Sequence, residues 1–187
     1  MLRRNRGVAL RFSGTALTAT DLVVSQTAGL EVDGTQGLGL VVDVGAKASL
    51  TRAVFERNRV VDILVSDLGT ALTLVDARLR QTRSQASDGK WGVGFIAVNE
   101  ADFVATRLTV ERTDDSGGMA QSRALCILSD LIILDTGLGG PATSGFGLRA
   151  SGRRPGDGAA GKAEGQPPRG ARRSPKFAAA GDRREGQ

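Results

Sequence analysis

Apolar residues recur along this chain in four columns, a column being the residues that hold the same position in successive repeats. The repeat emerges when two similar strings, residues 16–27 and 71–82, are aligned at an offset of 55 residues. Five segments then align, with successive spacings of 31, 24, 31 and 23 residues. The columns are Leu17, Ala48, Leu72, Phe103 and Cys126; Ala19, Leu50, Leu74, Ala105 and Leu128; Leu22, Ala53, Ala77, Leu108 and Leu131; and Val24, Phe55, Leu79, Val110 and Ile133.

The spacing of these columns predicts β-strands. The first two columns are two residues apart, as are the last two, which is the periodicity of a strand with one buried face. A step of three residues separates the pairs, so we expect a bend or bulge there. A period near 24 residues with Gly- and Asp-rich turns is typical of a parallel solenoid. Residues 26–40 and 81–95 match at the same offset, and a shortened third copy begins at 135. The long turns after Thr27, Thr82 and Thr136 should therefore share one side.

Two columns between the apolar ones are polar and also ordered. One alternates in charge, and its members are Asp21, Arg52, Asp76, Arg107 and Asp130. Neighbouring strands lie ~4.8 Å apart, so each arginine should lie between two aspartates, and a slip of one coil would place like charges together. The other column is Thr27, Asn58, Thr82, Thr113 and Thr136. These side chains either bridge successive turns or are simply residues that suit turns.

Two phrases resemble the repeat units of large secreted or surface β-helix proteins of bacteria: GAKASLTRAVFERNR (45–59) and GTALTLVDARLRQT (69–82). The chain is similar in this respect to the pectate-lyase-like superfamily, over about residues 3–148. The resemblance implies an all-β, right-handed parallel β-helix of about five to six coils within residues 1–149. Because the repeat starts and stops in mid-coil, we expect a fragment of a larger repeat protein that self-associates through uncapped ends.

Residues 150–187 form a second region, rich in Gly, Arg, Pro and Ala, for which we expect a disordered basic tail. Of the 25 basic and 20 acidic residues, nine and four lie in 151–187, which leaves 16 of each sign before them. The net charge of +5 therefore belongs to the tail. Such an arm could bind nucleic acid through phosphate contacts, but its charges are scattered and are not interleaved with aromatic residues. We favour translation out of the ancestral reading frame, and consider nucleic acid an unlikely partner.

Composition removes several kinds of chemistry. The chain has no His, which excludes Ser-His-Asp and Cys-His nucleophile systems and the usual His-containing zinc sites. Aromatic residues make up 4 %, which is little for stacking on sugars or bases. No window has the apolar length of a membrane span, and we see no signal peptide. We expect neither a cofactor nor a metal ion.

Seven charged residues are candidate catalysts, because a β-helix lyase or hydrolase uses acidic groups with Arg or Lys on an exposed face. They are Asp62, Asp67, Asp76, Asp88, Lys90, Arg78 and Arg80. Repeat register and turn chemistry explain most of them without catalysis. We therefore assign no catalytic residue.

Three further features have structural interpretations. Trp91 could stack on a sugar, but we expect its ring to pack on a coil edge. Cys126 lies in an apolar column and should be a core residue. The Gly-rich segments 37–45 and 92–102 are similar to dinucleotide loops, but no helix is predicted after them.

The sequence thus predicts a structural or interaction module of a secreted or cell-surface repeat protein, with no ligand assignable. The competing function is a carbohydrate-active enzyme, a polysaccharide lyase or hydrolase, on the same fold. A carbohydrate or a protein surface is a conceivable partner, and no compartment is specified for this chain.

Overall fold

The structure, a computed structural model, describes residues 1–139 and 145–152. Within them the chain forms strands and no helix. The strands are β1 (Leu2–Arg3), β2 (Val8–Ser13), β3 (Ala16–Thr20), β4 (Val23–Ser25), β5 (Leu38–Asp43), β6 (Lys47–Thr51), β7 (Val54–Glu56), β8 (Val61–Ser66), β9 (Ala71–Arg80), β10 (Val93–Val98), β11 (Asp102–Thr113), β12 (Gly118–Gln121), β13 (Leu125–Thr136) and β14 (Leu148–Ser151).

The strands form two parallel sheets, and the chain alternates between them. The first sheet follows the order β1-β4-β7-β9-β11-β13, with β3 and β6 paired beside this path, and the second follows β2-β5-β8-β10-β12-β14. One strand or strand pair of the first sheet and one strand of the second make a coil, and about six coils stack in the described residues. The predicted parallel β-helix is confirmed.

The strand registers confirm the apolar columns. Phe103 pairs with both Leu72 and Cys126, and Val110 pairs with both Leu79 and Ile133. Residues of these columns from the middle coils are fully or almost fully buried in one continuous core. Across that core, Phe95 of the second sheet stacks on Phe103 of the first, with ring centroids 4.6 Å apart. Like residues therefore lie on like residues along the axis.

A left-handed backbone conformation produces the bend between the paired columns. All five members of the alternating charge column have positive φ angles of 54–57°. A second column with positive φ lies five residues further on and contains Gln26, Arg57, Gln81, Arg112 and Asp135. A residue in this conformation turns the strand direction, which explains the step of three residues. The first sheet is thus bent along a line of charged side chains.

Ion pairs connect successive coils along this bend, which we call the charged corner. Arg52 Nε and Nη2 donate to the two carboxylate oxygens of Asp21 at 2.6 and 2.8 Å, and Arg107 binds Asp76 in the same bidentate way. The hydrogen bonds and charge of these arginines lower the pKa values of Asp21 and Asp76. Each arginine also attracts the aspartate of the next coil, Asp76 for Arg52 and Asp130 for Arg107. The predicted alternation is confirmed, and it favours one order of coils.

Reversing one charge of this corner should destabilise the fold. In the Arg107→Asp variant, three aspartates would follow one another on adjacent coils, whereas Arg107→Gln only removes the attraction. We expect melting temperatures in the order wild type, Arg107→Gln, Arg107→Asp, from highest to lowest. Because exposed charges are screened by salt, the differences should shrink at high ionic strength. Thermal unfolding followed by circular dichroism at low and high salt measures this, and equal melting temperatures would contradict it.

The polar Thr/Asn column lies inside the coils and bridges them in part. Thr27, Asn58, Thr82 and Thr113 are fully buried, and the amide of Thr27 donates to the side-chain oxygen of Asn58 at 3.0 Å. Arg6 pairs with Ala28 in the strand register, so Asn5, the residue before Arg6, lies next to Thr27 and extends the column by one coil. The bridging interpretation thus holds for Asn58.

The first two long turns, after Thr27 and Thr82, lie on one side, as expected, whereas the third, after Thr136, extends outside the described residues. In both, a backbone amide donates to the carbonyl four residues earlier: Gly34 to Leu30 at 2.9 Å, and Gly89 to Gln85 at 3.0 Å. A Cβ added to Gly34 would lie 3.4 Å from the backbone nitrogen of Ser87, so the two turns approach each other closely. Their shared conformation confirms the offset of 55 residues.

The last described strand of the first sheet, β13, is apolar on both faces. Its outward residues Leu125, Ile127, Ile132 and Leu134 are about half exposed. They pair in register with the outward residues Asp102, Val104, Thr109 and Glu111 of β11. Most outward positions of the preceding coil are therefore polar, whereas those of β13 are apolar.

Strand β14 continues to Ser151, two residues past the predicted domain boundary at 149. The expected disordered tail and the reading-frame hypothesis concern residues that, from 153 onward, lie outside those the structure describes.

Candidate functional site

Asp62 lies inside the coils rather than on an exposed face. It belongs to β8, is fully buried, and accepts hydrogen bonds from Asn58 Nδ2 at 2.7 Å and from the Thr82 hydroxyl at 2.5 Å. Burial raises the pKa of this carboxyl to about 7, although both hydrogen bonds favour the ionised form. Asp62 thus links two members of the internal polar column.

Asp43 is a second buried carboxylate, and unlike Asp62 it has a cation beside it. It is also buried on the second sheet, but Arg11 lies against it, with the Nη2 atom 2.6 Å from a carboxylate oxygen. Burial would raise the pKa of Asp43, but hydrogen bonds from Ser13 and Arg11 outweigh burial and lower it. No such cation contacts Asp62 among the described residues. Burial therefore disfavours the ionised form of Asp62 relative to the protonated form.

Asp76, Arg78 and Arg80 meet on the outer face of the first sheet. With Arg52 and Arg107 they line an open groove of about 360 Å³. Asp76 is paired with Arg107, and Arg80 Nη2 lies 2.6 Å from a carboxylate oxygen of Glu56. Of the candidates from the sequence, these three come together, and two of them already hold ion pairs.

Asp67, Asp88 and Lys90 lie in turns. Asp67 accepts a hydrogen bond from the amide of Val44 at 3.2 Å, and Asp88 accepts one from the amide of Lys90 at 3.0 Å. The Lys90 ammonium lies 3.8 Å from Asp88. Asp33 makes the equivalent contact with the amide of Thr35 at 2.9 Å in the first long turn. These carboxylates shape turns, and they lie apart from Asp62.

The remaining features also lie in structural settings. Trp91 follows a turn and is 44 % exposed, so more than half of its surface is covered. Cys126 is partly buried against the core, and burial raises the pKa of its thiol. The Gly-rich segments 37–45 and 92–102 contain strands β5 and β10, as expected from the lack of a helix signal.

Metal-binding clusters and membrane-spanning helices are both absent from the described residues. Those residues contain no group of three or more His, Cys, Asp or Glu side chains suited to hold a metal ion. The same part of the chain contains no helix that is long and apolar enough to cross a membrane.

A row of arginines lies along the second bent corner of the first sheet, and we call it the arginine ridge. Its first line consists of the exposed Arg4, Arg57 and Arg112, which alternate with the half-buried Gln26 and Gln81. All five have positive φ angles of 55–59° and stack from coil to coil, because the amides of Gln26, Arg57 and Gln81 donate to the next coil. The ridge is therefore straight and regularly spaced.

A second line of arginines runs beside the first. Arg6 pairs with Ala28 and Arg59 pairs with Arg83 in the strand register. Arg57, Arg59 and Arg83 line an open groove of about 320 Å³ together with Gln26, Thr27 and Ala28. Arg6 is neutralised by Glu31, with the two groups 2.8 Å apart.

The other ridge arginines have no ion-pair partner among the described residues. Arg57 Nε donates instead to Gln81 Oε1 at 2.8 Å, and Arg59 to the carbonyl of Ser84 at 3.0 Å. Arg3, which lies beside the ridge, donates from Nε to Gln26 Oε1 at 3.1 Å. Asp114 and Asp135 mark the far end of the ridge. One bent corner of the sheet is thus neutralised by aspartates, and the other carries excess positive charge.

The arginine ridge has a signal in the sequence, although we did not predict the ridge from it. The residues before the first four members of the Thr/Asn column are Gln26, Arg57, Gln81 and Arg112, which alternate as regularly as Asp and Arg do in the other column. The equal numbers of basic and acidic residues in 1–150 conceal this arginine pattern, because most of the acidic residues lie elsewhere on the surface.

Comparisons with protein-family models, curated proteins and solved structures gave no match.

Proposed function

We propose that this chain is a non-enzymatic structural or interaction module of a secreted or cell-surface bacterial repeat protein. We further propose that its coils are right-handed and related to the pectate-lyase-like superfamily. The resemblance of residues 45–59 and 69–82 to units of such proteins supports this, as does the right-handed preference of connections between parallel strands.

One observation carries the proposal: the carboxylates best suited to catalysis already hold structural partners. Asp62 is enclosed with Asn58 and Thr82, Asp76 is bound by Arg107, and Asp88 closes a turn. A general acid or base must reach the proton that it transfers, and each of these groups points to a partner of the scaffold instead. The regular surface then serves to span distance and to present side chains at fixed intervals.

A panel of acidic and neutral polysaccharides tests the proposal. We expect the intact protein to release no more reducing ends or unsaturated products from polygalacturonate, alginate or dextran than a heat-denatured sample does. Cleavage that is lost in Asp62→Asn or Asp88→Asn would contradict the proposal and favour the lyase or hydrolase alternative. Asp33→Asn is the matched control, because Asp33 holds the same turn position as Asp88.

A further inference from the structure

We propose that the arginine ridge binds an extended acidic segment of a partner protein, one whose carboxylates recur about every 10 Å. This inference deepens the proposed function as an interaction module, because it names the chemistry of the partner. The ridge is the part of the described surface where unpaired arginines of several coils line up.

The ridge presents hydrogen-bond donors and little else. Arg57 and Arg112 project guanidinium groups, and the side-chain oxygens of Gln26 and Gln81 already accept bonds from Arg3 and Arg57. The amide NH₂ groups of these glutamines therefore remain as donors. Guanidinium groups match the geometry of carboxylates, with which they form paired hydrogen bonds. A ligand for this surface must be rich in acceptors and negatively charged.

The spacing of the ridge favours a particular ligand conformation. Arg4, Arg57 and Arg112 are separated by two coils each, which is about 9.6 Å at ~4.8 Å per coil. A polyproline II segment has three residues per turn and rises ~3.1 Å per residue, so every third side chain returns to the same face after ~9.3 Å. An acidic residue at every third position would therefore meet an arginine on every second coil.

The glutamines between the arginines fit the same ligand. A polyproline II backbone makes no internal hydrogen bonds, and its carbonyl groups stay available. The NH₂ groups of Gln26 and Gln81 lie on the coils between successive arginines, where such carbonyls would pass. The groove beside Arg57, Arg59 and Arg83 gives room for the side chains between the acidic positions.

Duplex DNA fits the ridge less well. Each of its strands carries one phosphate per ~3.4 Å of helix axis, which is a denser repeat than that of the arginines. The ridge also lacks the aromatic side chains on which unpaired bases stack.

Fluorescence anisotropy with synthetic peptides tests the proposal on the full-length protein. The first probe is a labelled peptide of repeated Glu-Pro-Pro units, and the second has the same composition with its glutamates grouped at one end. We expect the periodic peptide to bind more tightly and its affinity to fall with salt. The Arg57→Gln/Arg112→Gln variant should bind it about tenfold more weakly, since an exposed ion pair is worth about twofold to fivefold in affinity.

The matched control is Lys47→Gln/Arg78→Gln, which removes two exposed charges outside the ridge and leaves residues 153–187 unchanged. It should bind the periodic peptide as the wild type does, and circular dichroism should show that both variants are folded. Equal binding of both peptides, equal loss in both variants or no binding at low salt would overturn the proposal. Tighter, ridge-dependent binding of duplex DNA would also overturn it. None of these outcomes bears on the polysaccharide assay, so the two proposals can fail separately.

Discussion

Replacing Leu79 with alanine should lower the free energy of unfolding by about 2–5 kcal/mol. Leu79 is fully buried in the column between Phe55 and Val110, whose strands pair with its own on both sides. Backbone hydrogen bonds hold these strands at ~4.8 Å, so the neighbouring side chains cannot close the cavity by moving along the axis. The transfer cost of the lost methyl groups and the cost of the cavity therefore add.

Leu68→Ala is the control for this substitution. Leu68 lies in a turn and is 74 % exposed, so its loss should change stability by no more than about 0.5 kcal/mol. Urea unfolding, followed by far-ultraviolet circular dichroism, gives the two midpoints. Similar midpoints for the two variants would show that the column is not the core.

The Asp62→Asn variant should become more stable than the wild type as pH rises. The pKa of Asp62 is about 7 in the folded protein, against about 3.9 for an unperturbed aspartate in the unfolded chain. Below about pH 4 both states hold the proton. Between about pH 4 and 7 only the folded state holds it, so the stability of the wild type falls with pH. Above about pH 7 the carboxyl is ionised in both the folded and the unfolded state, and the free energy of unfolding of the wild type has fallen by the order of 4 kcal/mol.

Asparagine keeps the size of the side chain and removes the charge, so the advantage of the variant should grow through this window and then level off. Denaturant unfolding at several pH values measures it. Asp76→Asn is a control of opposite sign, since Arg107 lowers the pKa of Asp76. That variant should be less stable than the wild type at neutral pH, and the difference should vanish as pH falls through the folded pKa of Asp76. A constant difference between Asp62→Asn and the wild type would contradict the assignment.

The sequence was sufficient to predict the stacking of coils, because the physical rule is repetitive. An inward position stays inward on every coil, so five residues such as Val24, Phe55, Leu79, Val110 and Ile133 report one environment five times. The bend was also predictable as a step of three residues. The positive φ angles of the residues at the bend could not be predicted, because Asp and Arg carry no obligatory signal for that conformation.

The setting of Asp62 could not be predicted, because it departs from the repeat. Its register neighbours on adjacent coils are Gly39 and Gly94, and nothing in a repeat pattern tells whether a single carboxylate among glycines points outward or inward. Its partner Thr82 is 20 residues away and meets it only after the coil has closed. The arginine ridge was predictable in principle from the alternation of Gln and Arg. Its net charge was not, because that depends on which carboxylates lie near it on the folded surface.

The alternation of Asp and Arg at the first bent corner also limits how such a molecule can lengthen. Inserting or deleting a single turn of the spiral would bring two arginines or two aspartates into contact, whereas adding turns in twos preserves every attraction. The unit by which the molecule can lengthen is thus a pair of coils, and gene duplications that add an odd number of coils should be selected against unless a compensating charge change follows.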